Sequence, residues 1–339
     1  MKKGLALLLI VLSAAMLFAN GANEATTNKK DDLVKIKVAH HMGYSGAAVV
    51  ATGLNMGYFA EEGLQVEPVP FTSGPSEIAA MVSGDIQFGY IGPGATTLAV
   101  KGDVEVIYFQ NLGNSEVLVV NKDSGIKSVK DLKGKTVATT FGTSGENIVK
   151  FALEEAGMTT DDIDFINMDM GGCVTSILAG KVDAVCVWAS FRVTVEQQLG
   201  DKYLVLARTS DFSDRYASVS SWLATQDYID KNPETVQHFA NAIAKSMDYW
   251  KDHEEQVATW VADLVNADAA NMKDQIGTVF FMNSAELEKA LNNGTIRKYY
   301  EIMEQSMYNN KQIPTIVPID DFVKWEYMEK AIQKCKVRR

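Results

Sequence analysis

Thr143 and Ser144 sit in Phe141-Gly-Thr-Ser-Gly145, directly before a helical stretch that runs through Glu155. Such a helix start offers free backbone N–H groups and the positive end of the helix dipole, and the two hydroxyls add donors. The chemistry is capture of an anionic group; the plain alternative is N-capping without a ligand. Ser73-Gly74 and Gly92-Pro93-Gly94 are analogous turns earlier in the chain, with ordinary turn chemistry as their alternative. Glu116 opens the apolar run Glu116-Val-Leu-Val-Val120, and its carboxylate suits a ligand ammonium group while repelling a bare anion. Trp188 ends a strand, where its ring would wall a cleft and its indole N–H would donate. Tyr44, in the loop after the first strand, is a second candidate wall. Arg192, four residues after Trp188, either adds positive charge for an anion or is a helix-surface arginine.

Other chemistries lack their residues. His40 and His41 are adjacent at a strand end, so their side chains point to opposite faces and make a poor metal pair. His238 and His253 lie far along the chain, and no metal site or cofactor is expected. There is no glycine-rich phosphate loop with lysine and no Gly-x-Ser-x-Gly elbow. The formal net charge of −11 argues against nucleic acid and anionic membrane surfaces as partners. Three cysteines are too few for a disulfide scaffold; whether Cys173 and Cys186 pair is left open.

The elements that must position these residues come in an echo. Met81-Val-Ser-Gly-Asp-Ile-Gln-Phe-Gly-Tyr-Ile-Gly92 is matched by Ile177-Leu-Ala-Gly-Lys-Val-Asp-Ala-Val-Cys-Val-Trp188. Each reads as a helix end, a glycine stop, a turn residue and a strand. Strands alternate with helices from Val34 to Thr225, which predicts an α/β fold of mostly parallel open sheets. A chain of 339 residues exceeds what one core supports, so two lobes with a cleft between them are expected. Two strands near Glu116–Val120 and Ser218–Leu223 would join the lobes as a hinge. The expected division is residues 34–117 with 221–339 as lobe one and 118–220 as lobe two. Ligands in open α/β sheets lie beyond the carboxyl ends of the strands, which selects the loops named above.

The first residues read as a targeting segment. Lys2 and Lys3 precede an apolar run from Gly4 to Ala19, the pattern of a cleavable secretory signal peptide over residues 1–19. A polar, flexible lead-in is expected over 20–33. No cysteine lies near the junction, so a lipoprotein anchor is not expected.

In order and spacing, several segments resemble the substrate-binding proteins of ABC importers in the taurine, alkanesulfonate and nitrate branch. They are Met56-Gly-Tyr-Phe-Ala-Glu-Glu-Gly-Leu64, Val82-Ser-Gly-Asp-Ile-Gln87, Leu112-Gly-Asn-Ser-Glu-Val-Leu-Val-Val120, Asp131-Leu-Lys-Gly-Lys-Thr-Val-Ala138 and Val187-Trp-Ala189. The resemblance implies a two-lobed periplasmic-binding-protein type II fold and a periplasmic monomer without an enzymatic step. It also implies a small anionic or zwitterionic, taurine-like ligand delivered to an ABC permease and its ATPase. The chain departs from the taurine branch at Ser220, where an acidic residue would stand two positions before Trp222. It departs again at Glu146 and Asn147, where His and Tyr would follow Ser144. A pyrimidine thiamine precursor is the alternative ligand, and a biosynthetic enzyme on the same fold is the alternative class.

Overall fold

The computed structural model describes residues 33–337. The expected signal peptide, and the lead-in up to residue 32, lie outside the described residues. Among the described residues, eleven strands form two sheets. The first contains β1 (Val34–His41), β2 (Leu64–Phe71), β3 (Phe88–Ile91), β4 (Glu105–Gly113), β10 (Val219–Ala224) and β11 (Val279–Phe281). The second contains β5 (Val117–Asn121), β6 (Thr136–Thr139), β7 (Asp164–Asn167), β8 (Ala184–Val187) and β9 (Tyr203–Arg208).

The strand orders are β11-β4-β10-β3-β1-β2 and β7-β6-β8-β5-β9. Read from the other edge, the second order matches the first strand for strand, with β11 as an added edge. In each sheet one inner strand runs against its neighbours: β10 between β3 and β4, and β5 between β8 and β9. Both follow a crossover from the other sheet, so each lobe is closed by a strand that the chain supplies after leaving its partner. The two crossovers are tied together, since Thr209 N donates to Glu116 O at 3.2 Å and Gly113 N to Ser218 O at 2.8 Å. The strand expected near Glu116–Val120 therefore starts one residue later, after a break from β4. β4 ends at Gly113, Asn114 N turns to Thr278 O, and β5 begins only at Val117. The expected lobe boundaries at 117/118 and 220/221 cut into β5 and β10.

The helices used below are α1 (Tyr44–Asn55), α2 (Gly74–Val82), α3 (Ser144–Glu155), α4 (Met170–Leu178), α5 (Ala189–Leu199), α6 (Pro233–Asp252), α7 (Glu254–Val265) and α8 (Trp325–Val337). The echoed segments are α2 into β3 and α4 into β8, which hold equivalent places in their sheets. Gly84 and Gly180 end the two helices at φ 88° and 66°, a left-handed turn that favours glycine.

Alternation along the strands sorts the cores. In β5, Leu118 and Val120 face the cluster containing Ile148, Phe151 and Leu153 of α3. Val117 and Val119 face the cluster with Cys173 and Ile177 of α4 and Val195 of α5. A strand buried on both faces reads as a continuous apolar run, as Val-Leu-Val-Val does. Cys186 belongs to the first of these clusters and Cys173 to the second, and both thiols are free and buried. The first sheet shares one large core with the C-terminal helices, centred on Trp222, Phe88, Phe239 and Trp250. Among the described residues, no helix is long and apolar enough to cross a membrane.

Candidate functional site

The carboxyl ends of the parallel strands in both sheets converge on one cleft, as open α/β topology requires. It encloses a cavity of about 70 Å³, space for a ligand of a few heavy atoms. Lobe one contributes the turns after β1, β2 and β3 and the end of β4. Lobe two contributes the turns after β6 and β8, the crossovers supply Ser115, Glu116 and Ser218, and β10 supplies Ser220. Ser73, Gly74, Gly92, Pro93, Glu116, Thr143, Ser144, Trp188 and Ser220 all line the cavity.

Four helices begin here: α1, α2, α3 and α5, with N-caps Gly43, Ser73, Thr143 and Trp188. In none of them does the N-cap side chain accept a hydrogen bond from the helix backbone. Ser73 Oγ is engaged with Ser76 Oγ at 2.9 Å, and Thr143 Oγ1 turns back to Thr140 O. By contrast, α4 starts outside the cavity lining and is capped by Asp169. For α1, Gln275 supplies the missing acceptor, with its Oε1 3.1 Å from Tyr44 N. That leaves α2, α3 and α5 presenting uncapped N-termini, and positive dipole ends, to the cavity.

Glu116 lines the same cavity from the crossover. It is 5% exposed, and its Oε2 accepts from Thr209 Oγ1 at 2.6 Å. Burial pushes the Tyr90 and Tyr216 hydroxyls up, and the charge of Glu116 adds to both. They remain neutral near the carboxylate. His41, which sequence reasoning set aside, also lines the cavity. Its Nε2 lies 3.2 Å from Oε2 of fully buried Glu77. Burial pushes the Glu77 carboxyl up, and His41 draws it back. His40 points the other way into the core at 1% exposure, as alternation along β1 requires. No lysine or arginine is among the lining residues.

Two expected residues fall elsewhere. Tyr44 is not a wall of the cavity. It opens α1 fully buried, its hydroxyl accepting from Trp250 Nε1 at 2.6 Å and lying 3.3 Å from Glu254 Oε2. The packing that captures it comes from α6 and α7, some 200 residues later, so no local signal marked it as core. Arg192 lies one turn into α5, outside the lining, with Glu196 4.0 Å away. Its i, i+4 spacing to Glu196 was the readable sign of the surface pairing. The aromatic walls include Phe71, Tyr90 and Phe191 beside Trp188. Phe71 ends β2, Tyr90 stands one residue before the end of β3, and Phe191 lies in the first turn of α5 after β8; this placement near strand carboxyl ends is the sequence signal that could have found them.

Ala189 adopts φ 48°, a left-handed conformation that costs a non-glycine residue about 1–2 kcal/mol. It follows Trp188 and meets lobe one: a Cβ on Gly43 would stand 2.7 Å from Ala189 Cβ. Ala189→Gly is expected to raise stability by about 1 kcal/mol, a few degrees in Tm. It should weaken ligand binding, because Trp188 loses a rigid support. A lowered Tm would count against strain at this position.

The model of the family described as NMT1/THI5 like matches residues 46–257. A protein of Brucella abortus named as a binding protein is 29% identical over 265 residues, 78% of this chain and 82% of its own. A Bacillus subtilis protein named as aliphatic sulfonates-binding is 24% identical over 341 residues, 98% of each chain. The crystal structure of the periplasmic aliphatic sulphonate binding protein SsuA from Escherichia coli superposes with a TM-score of 0.64 at 20% identity, covering 85% of this chain and 91% of that one. The desulfurization enzyme DSZB superposes at 0.63 and 14% identity, over 89% and 99%. The fold is thus the two-lobed periplasmic-binding-protein architecture, which binding proteins share with at least one enzyme. With its match spanning most of both lobes, the chain belongs to the NMT1/THI5-like family.

Proposed function

We propose that this protein is the solute-binding component of an ABC importer, acting in the periplasm and taking a small zwitterion in its interlobe cleft. One observation carries the reading: three uncapped helix N-termini and the carboxylate of Glu116 share a cavity that no lysine or arginine lines. Each N-terminus favours an anionic group by roughly 0.3–1 kcal/mol, more when partly buried. A negative charge about 5 Å from Glu116 meets roughly 3 kcal/mol of repulsion at an effective dielectric constant near 20. For a bare anion the two effects nearly cancel. A ligand with an ammonium group at Glu116 and a sulfonate or similar group at the N-termini gains from both. Ser73, Gly74, Gly92, Pro93, Thr143, Ser144, Trp188 and Ser220 would complete the binding surface.

The hinge would pass through Asn114–Glu116 and residues 209–218, which join the sheets. Closure would bring both lobes into register for a permease. Deletion of the gene should then abolish uptake of the ligand.

Calorimetry on protein stripped of ligand by unfolding and refolding tests the charge argument. Taurine is expected to bind at least tenfold more tightly than ethanesulfonate or nitrate. Glu116→Gln should erase that preference, weakening taurine while strengthening ethanesulfonate and nitrate, because the repulsion of a bare anion goes with the charge. Equal binding of ethanesulfonate and taurine would remove the zwitterion reading. A second reading, a pyrimidine thiamine precursor, is favoured by the aromatic walls Trp188, Phe191 and Phe71. It would show as binding of the pyrimidine and not taurine in the same titration. Consumption of any bound compound would instead support an enzyme, as in DSZB.

A further inference from the structure

Asn111 lines the cavity from near the end of β4, where it is fully buried. The orientation of its amide is dictated from 111 residues away. Trp222 Nε1 can only donate, and it donates to Gln110 Oε1 at 2.7 Å. That turns Gln110 Nε2 the other way, to donate to Ser45 O at 2.7 Å and to Asn111 Oδ1 at 2.9 Å. Tyr90 donates its hydroxyl to the same Oδ1 at 3.2 Å. Both lone pairs of Oδ1 are then taken, and the buried Nδ2 of this cavity-lining residue meets no acceptor in the protein. Flipping the amide would set Nδ2 against Gln110 Nε2, donor against donor, so the relay holds one polarity.

We propose that Asn111 Nδ2 is a specificity donor kept for an acceptor atom of the ligand, with Gln110 and Trp222 as positioning residues that set its polarity. Buried polar groups in proteins are almost always paired, and one left open beside a binding cavity is paired when the ligand arrives. The inference rests on the cleft being the ligand site. On the zwitterion reading the acceptor is an oxygen of the anionic end, because Glu116 takes the donor end. A ligand that presents a methyl or a donor at this point is rejected, since a site built around a hydrogen bond discriminates strongly against a partner that cannot make it.

The test is calorimetric titration of wild type and Asn111→Asp with taurine and with an aminopyrimidine, whose ring nitrogen is also an acceptor. Replacing the donor by an acceptor should lower the affinity of whichever probe binds by about 100-fold. An affinity unchanged within twofold overturns the role of Asn111 and leaves the function reading intact. If taurine fails on the wild type and the pyrimidine binds, the zwitterion reading falls and Asn111 is judged on the pyrimidine. If neither binds, both fall together. Because the change introduces a buried carboxyl, a melting curve checks that the variant folds. A crystal structure of the wild type with the bound probe is an independent measurement that needs no variant. A ligand acceptor within about 3.2 Å of Nδ2 supports the proposal, and a ligand carbon or a protein acceptor there overturns it.

Discussion

Gly94→Val is expected to hold the cleft open and lower ligand affinity by about 100-fold or more. Gly94 lies in the turn after β3, against the start of α3 in the other lobe. A Cβ there would stand 2.2 Å from the Thr143 carbonyl carbon and 2.5 Å from Ser144 N. These are backbone atoms, which cannot rotate aside as a side-chain tip can. Packed cores resist such overlap, so the softest response is motion at the two crossovers. Raising the closed state by about 2.7 kcal/mol reduces its population, and the apparent affinity, about 100-fold. Small-angle scattering should show no compaction of the variant on adding the ligand that binds the wild type. Melting temperature should change little, because each lobe keeps its own core. A variant that compacts and binds like wild type would show that Gly94 is not a closing contact.

The second large effect concerns stability, far from the cleft. Glu62 is 3% exposed and receives hydrogen bonds from Lys245 Nζ at 2.6 Å, Lys334 Nζ at 2.7 Å and Asn241 Nδ2 at 3.0 Å. It ties the segment after α1 to α6 and α8. Burial pushes its carboxyl up, but the hydrogen bonds from Lys245, Lys334 and Asn241 outweigh burial and bring it from 4.5 to about 2. A folded-state value below the unfolded one means the contribution is complete above pH 4.5. It is then lost as pH falls from 4.5 through about 2. The shift corresponds to about 2–3 kcal/mol, discounted because the Lys334 side chain is 40% exposed. Glu62→Ala should cost about 2–3 kcal/mol at pH 7, since Lys245, whose side chain is only 10% exposed, also loses the shorter of its two carboxylate contacts, 2.6 Å against 3.0 Å to Glu61. Urea unfolding at pH 7 and pH 3 measures both effects. The variant should lose less stability than wild type over that interval, and ligand affinity at pH 7 should be unchanged. A loss below 1 kcal/mol, or parallel pH slopes, would contradict a stabilising role for Glu62.

Much of the architecture was legible because it is written in local patterns. The glycine stops at Gly84 and Gly180, and the strands that follow them, exposed the repeat that the strand orders then display in full. The polar turns at strand ends pointed to the cleft because topology alone places them there. Local patterns failed where a distant segment decides the environment. Tyr44 looked like a loop aromatic until Trp250 and Glu254 enclosed it. Asn111 carried no motif, and nothing local distinguishes it from Asn114 three residues on, which is exposed.

By itself, then, the chain's sequence determined which segments are helix and strand, that they form two related α/β halves, and that hydroxyls, glycines and one glutamate stand at strand ends. Periodicity and turn chemistry act over a few residues, so they survive in one dimension. Only the tertiary structure decided which of those groups keep free hydrogen-bonding capacity. Gln275 supplies the acceptor at the start of α1, while α2, α3 and α5 go without a cap. Trp222 sets the polarity of Asn111 through Gln110, and Gly94 admits the other lobe. Each of these depends on a partner 45 or more residues away in the chain, and the free energy of a buried donor or acceptor is set by what finally stands opposite it.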